Sequence, residues 1–392
     1  MGRKGDGFQW ISSMREVDRD AWNRLSADYS PLLDWDWLRS LEDSGSVCTG
    51  TGWISQHLLL YADGALRAAA PLYVKVHSAG EFVFDYAWAD AAEQLSIPYY
   101  PKLVAMSPLS PAVGYRFLID SSFDDSSTIS AMLEVVDRFC RANRLHGFSI
   151  LWPEEEFARH LDDRFFRWRH QHYMWENSGL AGFEDYLAGF NKNQRRNIVR
   201  ERRSMDRQRL SIRTFHAAEG DQRILELMYR YYTNTNDQFG MWAARFLTEE
   251  FFQMLGEGAG RHVIFCAAYE PERSDPVGMS MLLHKTDRMI GRYWGAARFV
   301  DHLHFNLCYY EPIEWAIAHG VRAFDPGMGS EHKIRRGFKA IPVESLHRFY
   351  DHRMQELMRV NIDRINAYEQ MQIDELNSLS PLVRRPSEVE LE

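Results

Sequence analysis

HVIFCAAYEPERSDPVGMSMLLHKTDRMIGRYWGAA (residues 262–297) holds three long apolar runs separated by two short breaks. The first break, residues 271–276, is rich in Pro, Asp and Ser; the second is Asp287-Arg288. Runs so closely joined pair as antiparallel neighbours, because a parallel return needs a crossover of about a dozen residues or more. The stretch therefore predicts a three-stranded meander.

The chain on either side is placed from this meander. Downstream, HFNLCYYEPIEWAIAHG (304–320) has helical apolar spacing, with Gly320 as its stop. Pro312 falls inside it, so either the helix kinks there or its regular part starts at Glu311-Pro312. VRAFDPG (321–327) reads as the next strand, ESLHRFY (344–350) as another, and residues 351–372 as an amphipathic helix. Upstream lie a helical run at 182–210, strand SIRTFH (211–216), and helices at 224–237 and 247–258.

The first half shows a similar order. Residues 19–28 and 31–44 read as helices, and HLLLYADGALRAAAPLYVKV (57–76) reads as a hairpin about Asp63-Gly64. YRFLID (115–120) and FSILW (148–152) flank a helix at 126–145, and residues 168–177 form a closing strand. The fold class is thus α+β, with one arrangement seen twice and a boundary near residues 175–182. The expected domains are 8–178 and 179–372, followed by a tail, 373–392.

A length of 392 residues suits two domains, and 45% hydrophobic content is ample for two cores. No apolar run approaches the roughly 20 residues needed to cross a bilayer. The stretch MGRKGDGFQWISS lacks the apolar centre of a signal peptide. Cys48, Cys140, Cys266 and Cys308 form no CxxC pair, which argues for reduced thiols and against a zinc or redox motif. A cytoplasmic protein without a transmembrane segment is expected.

The net charge of −9 disfavours indiscriminate coating of nucleic acid. Yet NKNQRRNIVRERRSMDRQR (191–209) carries eight Lys or Arg against Glu201 and Asp206. Arg196, Arg200, Arg203 and Arg207 recur at the spacing of one helical face, and Arg195 adjoins them. This face is a candidate for a polyanion such as a tRNA backbone, a nucleotide-linked precursor or an anionic lipid headgroup; a merely solvated helix is the alternative.

One block, residues 291–338, carries GRYWG, then H-F-x-L-C-Y-Y, F-D-x-G and H-K-x-x-R-G-F. It resembles the FemAB-like family labelled peptidoglycan biosynthesis/recognition, among the GNAT-like acyltransferases. The likeness extends over about 168–350, including the basic helix, and reaches the first half only in outline. It implies two GNAT-like (acyl-CoA N-acyltransferase type) domains, each a mixed, mainly antiparallel sheet flanked by helices. Such proteins are similar to the Fem ligases, which move amino acids from aminoacyl-tRNA to amines of peptidoglycan precursors.

Acyl transfer to an amine needs a positioned carbonyl, a stabilised oxyanion and a base for the amine proton. On the GNAT pattern the donor sits where residues 289–297 diverge from the following strand, lined by Tyr293, Trp294 and Gly295. Arg292-x-x-Gly295-x-Ala297 fits the letters of a CoA pyrophosphate loop, although a helix should then follow at once. His304 is a candidate general base on its ordinary pKa near 6.5, with Glu311 and Glu331 as alternatives. Asp301, His302 and His304 find no further ligand at metal spacing, so no metal is expected, and N-capping accounts for Asp301.

DPGMGSEHKIRRGF (325–338) follows the last core strand. Asp325 ends that strand, Gly327 and Gly329 free the backbone, and Lys333, Arg335 and Arg336 follow at once. The resemblance implies that Lys333, the lysine of H-K-x-x-R-G-F, steadies the donor's leaving group or phosphate end. Catalytic candidates are thus Lys333, His304, Glu331 and Asp325. Donor-binding candidates are Arg292, Tyr293, Trp294, Gly295, Asn306, Tyr309, Tyr310, Gly327, Gly329, His332 and Arg336.

The function expected is an aminoacyltransferase or N-acyltransferase with no tightly bound cofactor. Its acyl donor, aminoacyl-tRNA or acyl-CoA, is a co-substrate, and its acceptor is an amine-bearing small molecule or peptide. A non-catalytic binder of peptidoglycan precursor or nucleic acid is the competing class.

Overall fold

The computed structural model describes residues 6–238, 240, 244–329 and 331–383. The chain forms two compact units: one up to His170 with Pro342–Gln370, the other Gln171–Ile341 with the chain from Met371 onward. This division differs from the expected 8–178 and 179–372. Residues 342–370 belong with the first unit because Leu346 to Phe349 pair antiparallel with Gly147–Ile150, and Met354, Met358 and Ile362 pack with Trp88, Ile97 and Tyr99. Nor is 373–392 a separate tail over its described part. Helix His352–Ser378 runs into it, and Ile373 lies in the second unit's core. Residues 384–392 lie outside the described residues.

In the first unit the hairpin forms as read: His57–Ala62 pairs with Ala65–Ala70, and Asp63 and Gly64 both take positive φ, 54° and 70°. That is what a two-residue type I′ turn requires. Gly7–Ile11 and Leu118–Ile119 extend this antiparallel sheet. A further set, Trp53–Ser55, Leu72–Lys75, Lys102–Ala105 and Gly147–Ile150, is antiparallel except for its last pair, whose crossover includes helix Asp125–Ala142. Within it Lys102, 2% exposed, is compensated by Glu81 at 2.7 Å and Asp85 at 2.6 Å. A charge so buried is tolerated only with its counter-charges in place.

In the second unit the meander is Val263–Tyr269, Gly278–Lys285 and Arg288–Ala296, with Ser211–His216 on its outer edge. The last strand is bent by a bulge: Tyr293 faces Met281, but Gly291 already faces Leu282. Arg288–Ala296 next pairs in parallel with Ala323–Asp325, from Arg288 opposite Ala323 to Ile290 opposite Asp325, where the pairing stops. Ala323 and Phe324 pair on their other side with Glu176 and Trp175. The strands thus part at Ile290 and Asp325, just before the bulge.

The crossover between them is one helical segment with a change of pitch. It turns through Leu303–Phe305, widens to a π turn over Asn306–Tyr310 and becomes regular over Glu311–Ala318. Pro312 therefore stands in the first regular turn, where its missing N–H is tolerated. The capping expected of Asp301 is absent. His302 occupies the cap position with φ 60°, and the Asp301 carboxylate lies 3.3 Å from the His302 ring.

Gly295 has a packing role that its letters do not announce. A Cβ there would lie 2.0 Å from the Tyr231 carbonyl oxygen and 2.8 Å from Thr235 Oγ1, both on helix Gln222–Asp237. Backbone cannot yield as a side chain can. Gly295→Ala should therefore cost about 1–3 kcal/mol in urea unfolding, and an unchanged midpoint would show that the helix is not held so close.

Candidate active site

Lys333 is 1% exposed and sits in the short 3-10 turn Glu331–Arg336. Its Nζ donates to the Gly327 carbonyl at 2.7 Å. Gly327 has φ 72°, a conformation that favours glycine, and its N–H donates to Asp325 Oδ1 at 2.8 Å. Asp325 in turn lies 2.9 Å from His172 Nε2 on strand Phe166–Glu176. A Cβ on Gly329 would meet Lys333 Nζ at 2.6 Å. Both glycines are thus required: one shapes the turn, the other leaves room for the ammonium. Burial lowers the Lys333 pKa to about 8, against the opposing pull of Asp325.

A second group of side chains gathers beside it. The rings of His304 and Trp294 lie 4.4 Å apart, and His304 lies 5.4 Å from Tyr309 and 5.8 Å from His332. His332 Nε2 and Tyr309 Oη share a hydrogen bond of 3.1 Å. Both imidazoles are held well below their ordinary value, His304 at about 3 and His332 at about 4. Burial is the main cause, followed by His332 and Arg336 for His304, and by Arg336 and Lys333 for His332. The ordinary value that recommended His304 as a general base does not hold here. At neutral pH both rings are uncharged hydrogen-bonding groups beside two cations.

Arg336 is the second cation, 3% exposed. Its guanidinium carbon stands 3.4 Å from the Phe305 ring centre, and Nη2 donates to Glu201 Oε2 at 2.8 Å. Tyr310 Oη donates to the same oxygen, and Asn306 Nδ2 donates to the Glu201 carbonyl at 3.0 Å. Glu201, an acid inside the basic run, therefore organises Arg336, Tyr310 and Asn306 together.

The basic helix, Lys192–Arg207, presents two chemistries. Gln194, Ile198, Glu201, Ser204 and Met205 are buried, whereas Arg195, Arg196, Arg200, Arg203 and Arg207 are exposed. Arg195 is engaged at home, bonding the carbonyls of Leu187 and Phe190 at 3.2 and 3.0 Å. Among the described residues, Arg196, Arg200, Arg203 and Arg207 have no acidic partner within 4.0 Å.

Lys333, His304, His332, Tyr309, Trp294 and Arg336 thus come together, with Asp325, Gly327 and Gly329 shaping the turn and Asn306 and Tyr310 behind. Others go elsewhere. Tyr293 packs on Tyr232 at 5.0 Å, and Arg292 bonds Tyr293 Oη at 2.7 Å. Arg292 to Ala296 lie in the paired strand rather than in a loop, so the pyrophosphate pattern lacks the geometry it needs. Glu331 is exposed at the head of its turn, and Glu311 instead meets Arg202 and Thr214.

The sequence reading missed Glu201, His172 and Phe305 as members of the site. A signal existed for Glu201, which stands among the arginines in sequence but on the helical wheel falls on the opposite side, with Gln194, Ile198 and Met205.

The family model for peptidoglycan biosynthesis/recognition, FemAB-like, matches residues 13–384. Among solved structures the chain is similar to FemX, with 11% identity and a TM-score of 0.52, covering 90% of this chain and 99% of that one. It is also similar to a conserved protein of unknown function from Bacteroides thetaiotaomicron, with 11% identity and a TM-score of 0.50, covering 88% and 99%. At such identities the likeness speaks for the fold. The fold is mixed α+β, with mainly antiparallel sheets flanked by helices. No curated protein matches. Among the described residues, no helix is long and apolar enough to cross a membrane.

The Glu201–Arg336 pair gives a test of this geometry. Glu201→Gln leaves a buried guanidinium without its counter-charge and should cost about 3–5 kcal/mol in chemical unfolding. Adding Arg336→Met should recover part of that loss. Strictly additive losses would contradict the pairing.

Proposed function

The chain belongs to the FemAB-like family, and from that premise we propose that it transfers an aminoacyl group from aminoacyl-tRNA to an amine at the Lys333 cluster. The observation that carries this reading is the buried Lys333 ammonium, held on the Gly327 carbonyl where the two parallel strands part. A cation in a low-dielectric setting acts on developing negative charge far more strongly than one in water.

The chemistry follows from that placement. The neutral amine attacks the ester carbonyl, forming a C–N bond and a tetrahedral oxyanion. The C–O bond to the tRNA ribose then breaks, the leaving oxygen gains a proton, and the amine loses one. Lys333 steadies the oxyanion or the departing oxygen by hydrogen bond and charge. His304, His332 and Tyr309 add polar contacts without adding further charge. The arginine face of the basic helix receives the phosphate backbone of the donor.

An acyl-CoA donor is the second reading and keeps the same carbonyl chemistry. It is less favoured because Arg292 to Ala296 lie in a strand ladder. The acceptor is an amine-bearing small molecule or peptide, and the family description directs attention to peptidoglycan precursors.

The test is to incubate the purified protein with charged total tRNA or with acyl-CoA, and to follow donor loss by mass spectrometry in the presence of peptidoglycan precursors. RNase-sensitive transfer supports the proposal. RNase-resistant transfer from the thioester supports the second reading, and no transfer from either donor supports a binder. Lys333→Met fills the same space without charge and should fold with an unchanged or raised Tm. Transfer should nevertheless fall about 100- to 1000-fold, and unchanged turnover would remove Lys333 from the mechanism.

A further inference from the structure

Phe299 is 90% exposed, more than any other large hydrophobic residue described. It lies between the end of strand Arg288–Ala296 and the helical segment that carries His304. The backbone around it is held. Arg298 pairs with Glu270 at 2.5 Å, Val300 is buried, and the Asp301 carbonyl accepts from Ser204 Oγ at 3.3 Å and from Gln208 Nε2 at 3.1 Å. The last two bonds tie the loop to the C-terminal end of the basic helix. An aromatic ring is thus presented to solvent on a fixed loop, beside a helix whose outer face carries Arg200, Arg203 and Arg207.

Leaving a phenylalanine in water forgoes the gain from burying it. A solvent-facing ring on a loop bonded to an arginine-bearing helix is a combination suited to single-stranded nucleic acid: the cations follow the phosphates, and a base stacks on the ring. An anionic lipid headgroup would use the cations but has no π-face for the ring. We infer that Phe299 is the stacking platform for an unpaired base at the 3′ end of an RNA donor whose backbone lies on the arginine face. This rests on the aminoacyl-tRNA reading and adds to it a specific base contact on the loop that joins the strand to the His304 segment. A nucleobase next to phosphate also occurs in coenzyme A, so the test separates the two sources.

Fluorescence anisotropy would compare wild type, Phe299→Ala and Phe299→Tyr. The probes are bulk tRNA, the same tRNA with its single-stranded 3′ end removed, coenzyme A and phosphatidylglycerol vesicles. Phe299→Ala should bind intact tRNA about 5- to 100-fold more weakly, while Phe299→Tyr stays near wild type. Trimmed tRNA should bind wild type and Phe299→Ala alike. The slope of log affinity against log salt should be unchanged in Phe299→Ala, because no charge is lost. Equal binding of intact tRNA by wild type and Phe299→Ala overturns the inference alone. A loss confined to coenzyme A, or to vesicles, overturns the RNA assignment. Failure of wild type to bind tRNA at all overturns the aminoacyl-tRNA reading itself, and this inference with it.

Discussion

A primary ammonium that is 1% exposed has to be compensated, and in Lys333 the compensation is the shape of the turn that follows the strand. The carbonyl it needs belongs to Gly327, whose positive φ turns the chain and whose N–H is taken by Asp325. Asp325 is anchored to His172 on the neighbouring strand. The space for Nζ exists because residue 329 has no side chain. Strand end, turn and cation are therefore one constraint, and altering any of them exposes or strands the charge.

The basic helix supplies the next layer. Its outer arginines and its inner Glu201 are separated by the turn of a single helix, so one element joins the surface that meets a polyanion to the pair that holds Arg336. Buried ion pairs commonly bring little net stability over apolar alternatives. What this one supplies is position, because Arg336 is clamped between Glu201 and the Phe305 ring.

Much of this was legible in the sequence where local chemistry decides the outcome. The meander followed from short breaks between apolar runs, the first hairpin from Asp63-Gly64, and the Lys333 turn from glycines placed after a strand. What escaped reading depends on contacts distant in sequence. His172 meets Asp325 across 153 positions and Arg336 meets Glu201 across 135. The return of residues 342–370 to the first unit likewise depends on pairing with Gly147–Ile150, which periodicity does not reveal. Gly295 shows the opposite failure: it matched a phosphate-binding pattern, yet the close approach of helix Gln222–Asp237 accounts for it.

The central claim is that Lys333 is a desolvated cation placed to act on the acyl donor. Its most direct test is an NMR titration of the protein carrying isotope-labelled lysine, with Lys333→Met used to assign the signal. Because burial disfavours the charged form, the ammonium should be intact at low pH and lost as pH rises, with a midpoint near 8. A midpoint at the ordinary lysine value of about 10.4 would mean that Lys333 is a solvated surface charge, and would contradict the claim.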